Sequence, residues 1–111
     1  MRVIICGAGQ VGFNIARQLA AELNDVTVVD QSAQLIKRVN EQLDARTVIG
    51  HASRPDILAQ AGAAEADMIV AVTVADEVNM VACQVAHSLF DVPTKIARVR
   101  SQEYLRPEWR G

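Results

Sequence analysis

Short apolar runs alternate with longer amphipathic stretches along the chain. Val3-Ile4-Ile5-Cys6, closed by Gly7, reads as a buried strand. From Gln10 to Leu23, apolar side chains fall at Val11, Ile15, Leu19 and Leu23, with Ala16 and Ala20 beside them. That spacing predicts one face of a helix, which Asn24-Asp25 breaks. Val26-Thr27-Val28-Val29-Asp30 is a second strand. A second helix follows, with Leu35, Ile36, Val39 and Leu43 inward. Thr47-Val48-Ile49 is a short third strand ending at Gly50. Ser53-Arg54-Pro55-Asp56 opens a third helix: Ser53 suits the cap, Pro55 the first turn, and Asp56 the positive end of the dipole. That helix stops at Gly62. Met68-Ile69-Val70-Ala71-Val72 is a fourth strand, apolar enough to be central. Thr73 or Asp76 opens a fourth helix, carried by Val78, Val81, Ala82, Val85 and Leu89 and ended by Asp91-Val92-Pro93. Lys95-Ile96-Ala97-Arg98-Val99-Arg100 is the fifth strand. Beyond it, through Tyr104 and Trp109, no period is visible.

Strand then helix, repeated, predicts an α/β fold with a doubly wound parallel sheet and right-handed crossovers. The 111 residues fit one domain, and no repeat, linker or low-complexity stretch divides them. The apolar half of the composition holds 17 Ala and 15 Val but only 4% aromatics. Small and β-branched residues suit helices packed closely on buried strands.

A net charge of −2 gives no bulk attraction to nucleic acid or anionic membrane, so neither is an expected partner. Cys6 and Cys83 are far apart and each lies in an apolar run. They read as reduced core thiols of a cytosolic protein, not as a disulfide frame or a zinc site. No apolar run approaches the ~20 residues of a membrane span, and Gly7 comes too early for a signal peptide.

Gly7-Ala8-Gly9-Gln10-Val11-Gly12 is G-x-G-x-x-G, set after a strand and opening a helix. In such a loop Gly7 allows the tight turn, Gly9 lets the backbone approach a pyrophosphate, and Gly12 lets helix and strand pack. Free N–H groups and the dipole at the helix start favour an anion, and no acidic residue lies between Gly7 and Glu22 to cancel them. Asp30 follows Gly12 by 18 residues, at the end of the second strand. A carboxylate there accepts both hydroxyls of an adenosine ribose. It repels a 2′-phosphate, and the next residue is Gln31, not Arg, which favours NAD over NADP. The expected fold is therefore Rossmann-like, with strand order 3-2-1-4-5 and no sixth strand.

Ligands of such sheets bind beyond the carboxyl ends of the strands. Gly50-His51-Ala52-Ser53 follows strand three on the adenine side, where His51 either contacts the base or is a solvated loop residue. Thr73 ends strand four and contacts ribose or phosphate, or caps the helix. Asp76 and Glu77 read as a solvated helix start, or as a hold for a cation or a partner's basic side chain. Arg98 and Arg100 point to the same side of strand five and face ligand phosphates, an acidic partner surface or solvent.

A dehydrogenase needs a proton donor beside the nicotinamide, and neither His51 nor His87 is placed for that. No Ser-His-Asp set, H-E-x-x-H or spaced carboxylate pair is present. Binding without turnover is the expectation, with the ligand favouring one conformation over another. The alternative is the coenzyme domain of an NAD-dependent dehydrogenase whose catalytic part lies elsewhere.

The glycine run, Val28-Val29-Asp30, Gly50-His51-Ala52-Ser53, Asp76-Glu77-Val78-Asn79-Met80 and Lys95-Ile96-Ala97-Arg98-Val99-Arg100 together resemble the KTN (RCK-type) domain of bacterial potassium-uptake regulators, in particular the N-terminal domain of TrkA-type subunits. The resemblance implies a cytoplasmic subunit, peripheral at the inner face of the membrane, that assembles on a potassium transporter. It implies binding of NAD(H) or ATP/ADP, dimers or larger rings, gating of transport and no catalysis. The binding set it implies is Gly7, Gly9, Gln10, Val11, Gly12, Asp30, Gln31, His51, Ala52, Thr73, Asp76, Arg98 and Arg100. The three glycines face phosphates, Asp30 holds ribose, and His51 and Ala52 lie by the adenine. Thr73 and Asp76 lie near the remaining ribose and phosphates, and Arg98 and Arg100 near extra phosphates. His51 departs from the family, in which Asp is common there.

The two-halved plan wants six strands, and five are visible. The chain is therefore expected to be a fragment of a longer subunit, with an unpaired sheet region or interface near Arg98 and Arg100, and with residues 101–111 supplying no sixth parallel strand.

Overall fold

The computed structural model describes residues 1–105. Its elements are β1 (Arg2–Cys6), α1 (Gln10–Ala21), β2 (Asp25–Asp30), α2 (Ala33–Gln42), β3 (Arg46–Ile49), α3 (Pro55–Gln60), β4 (Met68–Ala71), α4 (Asp76–Phe90) and β5 (Thr94–Ala97). The five strands form one parallel sheet in the order β3-β2-β1-β4-β5. The α/β class and the strand order are those read from the sequence.

Right-handed crossovers explain which helix covers which face. The chain first winds outward from β1 to β2 and β3, then returns across β1 to β4 and β5. Reversing direction puts the later helices on the opposite face. Two buried clusters result. Val3, Ile5, Val26 and Val28 meet Phe13, Ala16, Ile36 and Val39 of α1 and α2. Ile4, Cys6, Val29 and Ile69 meet Leu58, Ala82 and Ala86 of α3 and α4. Alternate residues of β1 feed opposite cores, as the pleat requires. The alanines of α4 let it lie close against β4 and β5.

The inner face of α1 differs from the periodicity. Val11 is 41% exposed and Leu23 92%, while Phe13 is 3%. The buried stripe is Gly12, Phe13 and Ala16. The cause is Gly12: a Cβ there would meet the Gly7 carbonyl oxygen at 1.8 Å. That backbone contact, not the apolar spacing, sets the helix rotation. On α4 the buried stripe is likewise Asn79, Ala82 and Ala86, with Val81 and Leu89 exposed. Helix α2 buries Ile36 and Val39 as expected.

Two strands are shorter than read. β4 ends at Ala71 and β5 at Ala97. The last ladder bond runs from the Arg98 N–H to the Ala71 carbonyl. Ser53 does not cap α3: Arg54 is the N-cap residue, it makes no side-chain cap bond, and it pairs with Asp56 instead. Pro55 and Asp56 lie in the first turn as expected. After β5, Gln102–Leu105 forms a 3-10 turn, not a strand. The rest of the predicted unperiodic tail, Trp109 included, lies outside the described residues. Among the described residues β5 pairs only with β4, and no helix is long and apolar enough to cross a membrane.

Candidate functional site

The direction of winding reverses between β1 and β4, and an open cavity of about 430 Å³ lies there, beyond the carboxyl ends of the strands. That volume is in the range of small-ligand sites. Of the predicted binding set, Gly7, Gly9, Gln10, Val11, Asp30, Gln31, His51, Ala52, Thr73, Arg98 and Arg100 line it. Gly12 and Asp76 do not.

Gly7 makes the turn at φ +112°, and its N–H donates to the Val29 carbonyl at 2.8 Å. A side chain there would be strained and would press on the Val72 and Thr73 backbone at 3.0 Å. Gly9, the N-cap residue of α1, is different: a Cβ built on it meets nothing within 4 Å. The space above it is the mouth of the cavity. The start of α1 has no side-chain cap and no acidic residue in its first turn. Its N–H groups and dipole face that space uncompensated. Gly12 serves packing, for the reason given above.

Asp30 ends β2 beside this loop. Its Oδ2 accepts from the Ala8 N–H at 2.8 Å and its Oδ1 from the Ser32 N–H at 2.8 Å. Each carboxylate oxygen keeps a further lone pair for a ligand hydroxyl. Ser32 lines the cavity and caps α2 by accepting from the Leu35 N–H. The sequence reading did not single out Ser32, although Ser three residues before Leu35 is a cap signal. Exposed His51 and buried Ala52 line the β3 side, near Leu35 and Gly50.

On the β4 side the rim is Thr73, Val74 and Ala75. Val74 is 83% exposed. Thr73 is neither free nor the N-cap, a position taken by Ala75. The Asn79 Oδ1 accepts from the Thr73 N–H at 2.8 Å and from its hydroxyl at 2.7 Å. The Asn79 Nδ2 donates to the Thr73 carbonyl at 3.1 Å and to the Arg98 carbonyl at 2.9 Å. Asn79 is fully buried, with all four of its hydrogen-bonding positions used. Its role was missed because it stands in an apolar helical run; its register with Ala82 and Ala86 was the signal.

Both arginines line the cavity, and Arg98 has a partner outside the expected alternatives. The Arg98 Nη2 donates to the carbonyls of Val72 at 3.0 Å and Thr73 at 2.9 Å, so the guanidinium folds back over the end of β4. Its Nε is buried with no hydrogen-bond partner. Exposed Arg100 also lines the cavity. Asp76 turns away from it: its two oxygens accept from the Arg100 N–H at 3.0 Å and the Ser101 N–H at 2.8 Å. These two donors hold the Asp76 carboxyl below its ordinary value, helped by the charges of Arg100 and Arg98. Glu77 accepts from the Tyr104 hydroxyl at 3.0 Å, a bond that raises the phenol's pKa.

Cys6 and Cys83 are free thiols, and burial pushes both above the ordinary value. Among the described residues no group of three or more His, Cys, Asp or Glu is arranged to hold a metal.

The TrkA-N domain model matches residues 3–107. The Trk system potassium uptake protein TrkA of Azorhizobium caulinodans is 64% identical over 111 residues, covering 100% of this chain and 24% of the relative. The chain thus spans about a quarter of the length of the curated relatives it matches. Among solved structures, the Kef C-terminal domain of Shewanella denitrificans in its AMP-bound form is 28% identical, with a TM-score of 0.77 over 98% of this chain and 68% of that one. The GsuK channel bound to NAD is 22% identical, with a TM-score of 0.72 over 84% of this chain and 17% of that one, and shares the fold.

Proposed function

The chain belongs to the TrkA-N domain family, and from that premise we propose that it is a nucleotide-binding regulatory domain of a membrane potassium transporter, gating uptake without catalysis. The observation that carries this reading is the open approach over Gly9 at the uncapped start of α1, flanked by the Asp30 carboxylate. A pyrophosphate meets backbone N–H groups there, and a ribose meets an acceptor. The residues present therefore fit NAD(H) or ATP/ADP.

In this assignment Gly7, Gly9, Gln10 and Val11 face the phosphates, and Gly12 supports them from beneath. Asp30 and Gln31 hold the adenosine ribose, and His51 and Ala52 border the adenine. Thr73 lies by the second ribose or the remaining phosphates. Arg98 and Arg100, which both line the cavity, receive extra phosphates. Asp76 acts behind the rim through Arg100. The Kef domain solved with AMP, at 28% identity, supports an adenine nucleotide as ligand. The names of the relatives support a potassium-uptake system as the setting.

The same reading makes the chain one domain of a longer cytoplasmic subunit. That subunit assembles as a homodimer or ring, peripheral to the membrane, on a transporter subunit. A dehydrogenase coenzyme domain shares the glycine loop and Asp30; family membership favours the regulatory reading. Calorimetric titration with NAD, NADH, ATP and ADP tests it. Saturable binding of at least one is expected, and no heat from any of them at millimolar concentration contradicts it.

A further inference from the structure

We propose that Thr73, with its proton positioned by Asn79, selects what lies beyond the pyrophosphate: a group that donates a hydrogen bond, such as the hydroxyl of a second ribose, and not a phosphate. The inference rests on the nucleotide reading above and narrows its ligand to the dinucleotide class.

Only one orientation of the buried Asn79 amide fits its neighbours. Its Oδ1 meets the Thr73 N–H at 2.8 Å, and its Nδ2 meets the carbonyls of Thr73 at 3.1 Å and Arg98 at 2.9 Å. Turned over, the amide would set N–H against N–H and oxygen against two oxygens. The Oδ1 is therefore an acceptor, and the Thr73 hydroxyl 2.7 Å from it supplies the proton between them. That shorter bond takes the proton in preference to the Ala75 carbonyl at 3.2 Å.

The other positions on Thr73 are filled as well. Its carbonyl accepts from the Asn79 Nδ2 and, at 2.9 Å, from the Arg98 Nη2. The Ala75 N–H donates to its hydroxyl oxygen at 3.3 Å. What remains is one lone pair on that oxygen, in a half-buried residue that lines the cavity. A phosphate at neutral pH only accepts. Freeing the hydroxyl proton for it would leave the Asn79 and Thr73 oxygens opposed at 2.7 Å. A ribose hydroxyl can donate instead.

Thr73 follows β4, and Asp30 ends β2 on the other side of β1. With adenosine at Asp30 and the pyrophosphate over the loop after β1, Thr73 meets the part of the ligand beyond. In ATP that part is phosphate, and in NAD(H) it is a ribose. Phosphates are left to the arginines and gain nothing from Thr73.

Calorimetric titration of the whole chain tests this with ADP-ribose, with its analogue carrying hydrogens in place of the terminal-ribose hydroxyls, with NADH and with ATP. The native chain is expected to bind the analogue about threefold to tenfold more weakly than ADP-ribose, the scale of one lost neutral hydrogen bond. In Thr73→Val the two should bind alike, with ATP held at its native affinity. Thr73→Ser, which keeps the hydroxyl, should keep the native preference. Asn79→Ala frees the hydroxyl proton, and the ratio of ATP affinity to ADP-ribose affinity should rise. A lower folded fraction scales both affinities and leaves that ratio unchanged. Equal binding of ADP-ribose and its analogue by the native chain overturns the selection and leaves the nucleotide reading standing. A loss in Thr73→Val that ATP shares, or an unchanged ratio in Asn79→Ala, overturns it in the same way. No heat from NADH, ADP-ribose or ATP on the native chain removes the nucleotide reading, and the selection with it.

Discussion

The Asp30 carboxylate accepts a hydrogen bond from the Ala8 N–H at 2.8 Å, so the acid that ends β2 and the glycine loop that follows β1 form one unit. The residue assigned to the ribose also shapes the loop assigned to the phosphates. Asp30→Ala is expected to lower stability by about 2 kcal/mol, the scale of losing charge-assisted bonds to two backbone donors. It is also expected to abolish the rise in Tm that a bound nucleotide confers. Thermal melts of both forms, with and without NADH or ATP, measure both effects. An unchanged ligand-induced rise would remove Asp30 from the site.

Gly12 is a packing residue. A Cβ there collides with the Gly7 carbonyl, a backbone atom that cannot swing away. Gly12→Ala is expected to destabilise by about 3 kcal/mol or more, since α1 must shift off β1. Urea denaturation checks this. A loss under 1 kcal/mol would mean the helix accommodates the methyl.

Much of the architecture was legible in the sequence because it depends on local chemistry. Five apolar runs became five strands, and the loop 7–12 lay where its glycines placed it. What escaped depends on tertiary contact. Apolar spacing aimed Val11 into the core, but the Gly12–Gly7 contact rotates α1 and leaves Val11 at the cavity mouth. The fifth strand read on to Arg100, but its partner β4 ends at Ala71, and Asp76 takes the next N–H groups. Ligand, partner and solvent are the choices the sequence offers for the arginines; for Arg98 the carbonyls left at the end of β4 are a fourth that only the fold reveals.

Asn79 holds four bonds in a site closed to water. Asn79→Ala strands buried groups on Thr73 and Arg98 and is expected to cost about 3 kcal/mol or more. Asn79→Asp keeps the acceptors but turns a carboxylate toward two carbonyl oxygens, and is expected to cost at least as much. Equilibrium unfolding of both variants measures this, and near-native stability of Asn79→Asp would contradict the assigned hydrogen bonds.

Asp76 makes stability depend on pH in one direction. Its carboxyl titrates lower in the folded chain than its ordinary value of 3.8, because the N–H groups of Arg100 and Ser101 favour the anion. The stabilisation is present above pH 3.8 and is lost as pH falls below it through the depressed folded value. Asp76→Asn is expected to flatten the stability curve in that acid window. Melts between pH 2 and 6 compare the two, and identical acid limbs would contradict the assignment.

The most direct measurement is calorimetric titration of Gly9→Ala beside the native chain. Gly9 has φ −71°, which alanine adopts freely, and the added Cβ touches nothing within 4 Å. Stability should be unchanged or slightly raised. The methyl group fills the space assigned above to a pyrophosphate at the start of α1, so on that proposal affinity for NADH or ATP should fall tenfold or more. Native affinity in a normally folded Gly9→Ala would show that the nucleotide does not bind over this loop.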